Sequence, residues 1–241
     1  MHSIKLSQLG LSHLVAGADY DFRLARVGEL RFAAELERAV AQLQSESAVV
    51  YSGAQVHGVN IEYCDGLRGE DFLGGKLFPQ TDGLITDQPD VLLLIKYADC
   101  TPIVLYDPLK KVQAVVHSGW RGTVQEIAAH ALDRMESDFQ CRREDLVAYV
   151  GPSIAQANYE VGPEVYEAFA AFSARDQFFR PQGEKFLLSM TDANVSLLLA
   201  HGLTPAQLEV SRISTFTSPA LHSARREGAD YGLNALLTKI N

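Results

Sequence analysis

The stretch Leu92–Gly122, LLLIKYADCTPIVLYDPLKKVQAVVHSGWRG, constrains the fold more than any other part of the chain. Two apolar, β-rich runs flank the turn Asp107-Pro108-Leu109-Lys110-Lys111, where Pro108 presets φ and Asp107 can cap the bend. Cys100 opens the first run and His117 closes the second. If Asp107 pairs with Val112, His117 falls opposite Pro102. Cys100 is then its diagonal neighbour on the same face, roughly 7 Å away between backbones. A slip of one residue would send the two side chains to opposite faces.

With 241 residues, 47% of them hydrophobic, the chain can bury a full core, and a single domain over 1–241 is expected. A net charge of -9 argues against nucleic acid as a partner, because phosphate-backbone binding needs clustered Lys and Arg. A local basic site for a small anion remains compatible with it. Cys64, Cys100 and Cys141 follow no regular spacing, so no disulfide framework is expected and a reducing compartment is the simplest setting. The N-terminal MHSIKLSQLGLSHLVAG lacks an apolar core followed by a small-residue cleavage site. No run approaches the roughly 18 apolar residues of a membrane span. The expectation is a cytoplasmic chain with no membrane partner.

Along the chain, Tyr20–Val27 alternates enough to predict a strand. Residues Glu29–Glu46 place Leu30, Ala33, Leu36, Val40 and Leu43 at helical spacing, which predicts an amphipathic helix. A strand, a Gly-flanked turn at His57 and another strand follow. Residues 66–82, with four glycines and a proline, predict a loop over a site. After SGWRG a helix is expected over Thr123–Phe139, with Thr123 as N-cap and Glu126 at capping-box spacing. A strand at 145–151, a helix begun by Pro163, a helix over 187–202 closed by Gly202 and a late strand complete the pattern. Strands and helices in mixed order around an antiparallel hairpin give α+β or mixed α/β, and not a doubly wound parallel sheet.

His57, Cys100 and His117 form the candidate site. Each lies at a strand end beside a small residue, where a side chain can open into a cleft. Two readings share these residues. One thiolate and two imidazoles suit a zinc ion with a fourth position for water. Alternatively Cys100 is a nucleophile with His117 as its base, its thiol pKa lowered by His117 or Arg121, and Asp99 available to orient a histidine. Arg121, just before a helix start and next to Ser118 in HSGWRG, is a candidate anion contact, as are Arg225 and Arg226. Trp120 is the only tryptophan.

As an ordered set, QVHG (55–58), TDGLIT (81–86), ADCTPIVLYDP (98–108), VHSGWRGTV (116–124) and VGPSIAQANYEVG (150–162) resemble the laccase-domain family, named for multicopper polyphenol oxidases and also called the YfiH family. The resemblance implies a layered mixed β-sandwich flanked by helices, likened to cysteine-hydrolase folds. It implies metal ligands at His57, Cys100 and His117, with zinc expected over copper. It also implies a cytosolic enzyme that phosphorolyses adenosine, inosine, guanosine or methylthioadenosine, and deaminates adenosine; monomer and homodimer both stay open. Zinc chemistry fits deamination, since the ion lowers the pKa of bound water to about 7. Phosphorolysis would need an anion site, for which Arg121 is the candidate.

The ends of the chain depart from the family pattern. No FSTRxGG-like segment precedes the centre; YDFRLARVGE is the nearest stretch. In ISTFTSPALHSARREGADYGLN, Ser214 stands for the usual cysteine, Leu221 and His222 for an aromatic pair, Ala224 for a tyrosine and Leu233 for an arginine, while Thr215, Ser223, Arg225, Arg226, Gly228 and Gly232 persist. Copper-dependent polyphenol oxidation, the alternative in the family's name, needs a histidine-rich cluster with His-x-His pairs; the chain has seven histidines and no such pair. A Cys-His hydrolase in peptidoglycan editing and a non-enzymatic metal-binding module are further alternatives.

Overall fold

The computed structural model describes residues 2–45 and 47–241. Among these residues, two six-stranded sheets stack on one another. The first runs in the order Leu11–Ala16, Asn234–Ile240, Val91–Tyr97, Val49–Gly53, Gly75–Phe78, Glu70–Phe72. The second runs Leu208–Val210, Val147–Val150, Thr101–Asp107, Val112–Ser118, Gly83–Thr86, Ile61–Tyr63. Parallel and antiparallel pairs mix in both, as expected for the mixed α/β class.

Between the sheets, Tyr51, Leu93 and Ile95 pack against Leu84, Val104 and Val115. The helix Leu24–Gln42 covers the outer face of the first sheet, setting Phe32, Leu36 and Ala39 against Leu92, Leu94 and Leu237. Helices Ile127–Phe139 and Met190–Ala200 cover the second. Val91–Ile95 is therefore buried on both faces, which is why that run is continuously apolar. Each such side chain contributes about 1.5–3 kcal/mol on burial. A small third sheet of Glu160–Val161, Lys185–Leu188 and Phe179–Gln182 packs with the helix Pro163–Ala168.

The central hairpin forms in the expected register, with Asp107 opposite Val112 and Pro102 opposite His117. Asp107 Oδ1 accepts the N–H groups of Leu109 and Lys110, both at 2.9 Å, and closes the turn. The first strand begins at Thr101, so Cys100 sits in a bend just before it, after Asp99 in the left-handed region at φ 84°.

Several local expectations give way to tertiary structure. Tyr20–Val27 is not a strand: Asp21 accepts the Arg23 N–H in a tight turn and the helix starts at Leu24. Gly28, at φ 74°, kinks that helix, and the turns beyond it present Phe32, Leu36, Ala39 and Val40 to the core. Leu36, Val40 and Leu43 of the expected stripe meet the core, whereas Leu30 is 92% exposed and Phe32 takes the buried place. The helix ends at Gln42, and the expected end at Glu46 lies outside the described residues. Segment 66–82 is not a plain loop but holds the hairpin Glu70–Phe72/Gly75–Phe78, turned through Leu73 and Gly74 at positive φ. The expected Thr123–Phe139 helix is broken. Trp120–Val124 is a short helix, Glu126 takes a left-handed conformation, and Ile127–Phe139 follows. Thr123 caps nothing; its hydroxyl donates to the Gly119 carbonyl. The helix expected over 187–202 starts only at Met190, where the Ser189 hydroxyl caps it, and Leu187 and Leu188 belong to a strand.

Candidate metal centre and cleft

The fold brings His57, Cys100 and His117 together, one ligating atom from each lying within 4.8 Å of the others. Cys100 Sγ is 3.8 Å from His57 Nε2. The rings of His57 and His117 meet edge to face at 4.9 Å between centroids. His117 is buried, Cys100 half-buried and His57 exposed, so the trio opens outward past His57.

Asp82 organises the group. Its carboxylate accepts the backbone N–H groups of Val56, His57 and Gly58 at 2.9, 3.0 and 2.9 Å, pinning the turn that holds His57 at φ 62°. The same carboxylate meets His117 Nδ1 at 2.8 Å, which leaves Nε2 free to ligate. Asp82 is fully buried. Burial raises its pKa, but the hydrogen bonds from His117 and from Val56 and Gly58 outweigh that and hold the carboxylate below its usual range. Gln55 fixes the turn from the other side: its side chain donates to the Lys96 carbonyl at 2.7 Å and accepts the Lys96 N–H at 2.9 Å. Gly119 leaves the space the trio needs, since a Cβ there would lie 2.6 Å from His57 Cδ2 and 3.1 Å from Cys100 Sγ.

The electrostatics favour a thiolate. Burial pushes the Cys100 thiol up, but the charge of His117 and hydrogen bonds from both histidines bring it well below the ordinary thiol value. Burial lowers His117 in turn, while the Cys100 thiolate and Asp82 raise it. A thiolate with two imidazoles, one backed by a buried carboxylate, is a donor set that fits zinc.

The other expected site residues divide into two groups. Asp99 does not reach a histidine; it accepts the Thr215 hydroxyl at 2.5 Å and the Arg225 N–H at 2.7 Å. The Arg225 guanidinium lies 5.3 Å from the Tyr159 ring centroid, and Arg121, exposed, stacks on Trp120 at 4.3 Å. Tyr159 senses Cys100, Asp99, Arg225 and Arg121 together: burial first, then the two negative groups, push its phenol up to about 12 against the two guanidinium groups. Arg225 is thus anchored through its backbone to Asp99, the residue before Cys100, and Arg121 follows two residues after Gly119, which borders His57 and Cys100. Ser118 and Arg226 are taken up by protein partners. The Ser118 hydroxyl is buried between Thr123 and Asn194. Arg226 donates to the carbonyls of Thr215, Phe216, Ser218 and Leu221 and pairs with Glu227, tying down the 215–221 loop.

The trio sits at one end of a cleft of about 480 Å³. Phe22, Phe32, Phe72, Leu77, Tyr231 and Leu233 form its apolar walls. Both ends of the chain build these walls: Phe22 N–H bonds the Leu233 carbonyl, Leu233 N–H bonds Asp21, and Arg23 lies 4.0 Å over the Tyr231 ring. The residues that sequence reasoning passed over are Asp82, Gln55 and Tyr159. All three lie inside motifs already singled out, and Asp82 carried a signal as the one acid in TDGLIT.

The model of the family described as multi-copper polyphenol oxidoreductase laccase matches residues 29–241. The chain is 41% identical over 155 residues to a purine nucleoside phosphorylase of Bacteroides thetaiotaomicron, covering 63% of this chain and 57% of the relative. It is 37% identical over 159 residues to adenosine deaminase RL5 of an unknown prokaryotic organism, covering 63% and 59%. The chain thus spans somewhat over half the length of these curated relatives. Among solved structures it resembles the Bacillus licheniformis hypothetical protein YfiH at a TM-score of 0.89 and 22% identity, over 98% of this chain and 94% of the other. It resembles YlmD from Geobacillus stearothermophilus at a TM-score of 0.85 and 24% identity, over 95% and 92%. Among the described residues no helix is long and apolar enough to cross a membrane.

Proposed function

The chain belongs to the multi-copper polyphenol oxidoreductase laccase family, and from that premise we propose that it is a zinc-dependent enzyme acting on purine nucleosides. Its reactions are cleavage of the glycosidic bond by phosphate and hydrolytic removal of the 6-amino group of adenosine. The observation that carries this reading is the His57–Cys100–His117 cluster, backed by Asp82, at the end of an aromatic-walled cleft. Relatives named purine nucleoside phosphorylase and adenosine deaminase support the same two reactions.

His57, Cys100 and His117 would hold the ion, which when bound supplies a Lewis acid and lowers the pKa of water. The chain's own groups do the rest. Asp82 fixes the His117 tautomer and the His57 turn. The aromatic walls exclude water and provide faces on which a purine can stack. Arg225, beside Tyr159, and the exposed Arg121 would offer donors to an anionic group.

Elemental analysis of protein purified without added metal is expected to give about one zinc per chain. Adenosine incubated with and without phosphate separates the reactions: adenine formed only with phosphate marks phosphorolysis, and inosine marks deamination. Metal-loaded protein that turns over no nucleoside would overturn the enzymatic reading in favour of a metal-binding module. A second reading, Cys100 as nucleophile with His117 as its base, is favoured by the lowered thiol pKa. Fully active metal-free protein would select it. Polyphenol oxidation is not proposed, since seven histidines without a His-x-His pair leave no ligands for a copper cluster.

A further inference from the structure

Lys96 interrupts the apolar run VLLLIKY, on the same face of its strand as Leu92 and Leu94. Those leucines pack beneath the Leu24–Gln42 helix. Where the face continues beyond the helix, it becomes the floor of the cleft, and Lys96 is part of that floor. Its place is fixed: the backbone is clamped on both sides by Gln55 and pairs with Ala235.

Its ammonium has one protein acceptor among the described residues, the Gly53 carbonyl at 3.1 Å. No carboxylate among those residues forms an ion pair with it, although Lys76 pairs with Asp71 and Lys185 with Glu160. The residues lining the cleft include no Asp, Glu or Arg, so Lys96 is the one Lys or Arg charge facing that space. Burial lowers its pKa to about 8, which still leaves it charged at neutral pH. An ammonium has three donors, and two of these have no protein partner. A half-buried cation without a counter-ion is costly, and an anionic ligand would remove that cost.

We propose that Lys96 is the phosphate-binding group of the cleft, donating from the floor to a phosphoryl oxyanion whose neighbouring organic part lies against the aromatic walls. The phosphoryl group comes either from inorganic phosphate or from a nucleotide monophosphate. The proposal rests on the purine reading for its choice of ligand, and on Lys96 alone for its position. Arg121 and Arg225 are not among the residues that line the cleft.

Lys96→Met keeps the length and the apolar stem and removes the charge. In the phosphorolysis assay its KM for phosphate is expected to rise about tenfold or more, as for loss of a charge-assisted hydrogen bond, with the KM for adenosine moving much less. If AMP inhibition weakens by a similar factor while the KM for phosphate stays put, the site takes the esterified phosphate. Both parameters unchanged overturns the proposal. The wild-type protein gives an independent test that needs neither turnover nor a folded variant. Trinitrobenzenesulfonate labels amines of lowered pKa preferentially, and peptide mass spectrometry reports labelling at Lys96. Protection of Lys96 by phosphate or AMP, with exposed lysines labelled as before, supports the site even if no nucleoside is a substrate. Equal labelling with and without either compound overturns it.

Discussion

The Asp82 carboxylate touches two of the three candidate ligands at once, meeting His117 Nδ1 at 2.8 Å and the His57 backbone N–H at 3.0 Å. One buried acid therefore sets both the ring orientation of one histidine and the turn that carries the other. Asp82→Asn is expected to lower zinc affinity about 10–100-fold, the usual effect of removing an acid that orients a ligating histidine. Competition with a chromophoric chelator measures this. Zinc affinity within twofold of the wild type would show that the histidines hold their places without the carboxylate.

Gly119 is required for space and not for its backbone angles, which are ordinary at φ -76°. Gly119→Ala forces His57 or Cys100 aside and is expected to reduce bound zinc well below one per chain with secondary structure intact. Elemental analysis beside far-ultraviolet circular dichroism checks both halves. Full zinc occupancy in this variant would contradict the geometry.

His57→Ala, Cys100→Ala and His117→Ala should each lower metal affinity, and His117→Ala should also destabilise the fold. The reason is burial: His57 is exposed, whereas removal of His117 leaves the Asp82 carboxylate with one partner fewer in the interior. The destabilisation is about 1 kcal/mol, the order of one lost hydrogen bond, because Asp82 keeps its three backbone donors. Urea melts of the three variants without metal would rank them.

Glu227 governs acid stability near the cleft wall. Burial raises its pKa, but the N–H groups of Gly232 and Ser223, with Arg226 and His222, bring it down to about 2 from an ordinary 4.5. A depressed folded value means the stabilisation is fully present above the unfolded pKa and disappears as pH falls through the folded one. The contribution is thus complete above about pH 4.5 and is lost progressively between there and about pH 2. Thermal melts between pH 7 and 3 should fall less steeply for Glu227→Gln than for the wild type, from a lower starting value.

The Leu24–Gln42 helix offers a test of its observed orientation. Phe32→Ala should cost about 3–5 kcal/mol as a cavity in a packed layer, and Leu30→Ser should fall within about 0.5 kcal/mol of the wild type as a surface change. The reverse order would mean that Leu30, and not Phe32, faces the sheet.

What could be read from the residues was whatever depended on local pairing. The hairpin register followed from Asp107 and Val112 flanking a Pro-containing turn, and it carried His117 and Cys100 with it. The apolar spacing of the Glu29–Glu46 stretch named the right element and, through Leu36, Val40 and Leu43, most of its buried face; it missed Phe32 and misplaced Leu30, because the kink at Gly28 and the packing of Phe32 are set by the sheet beneath. Four glycines in 66–82 argued for a loop, whereas Gly66, Gly69 and Gly74 supply the positive-φ positions before and between two short strands. Lys96 was opaque, and Asp82, though visible as the one acid in TDGLIT, had no readable role, for a different reason. Each acquires its role from partners 25 to 43 residues away, the His57 turn, His117 and Gly53, which no local pattern announces.

The cleft joins two portions of the chain with different histories open to them. Its reactive end comes from the central motifs, and part of its wall, Phe22, Tyr231 and Leu233, comes from near the two ends. Selectivity can consequently drift while chemistry stays put. Exchanging those wall residues between members of the family should transplant a preference for one nucleoside over another onto an unaltered metal centre.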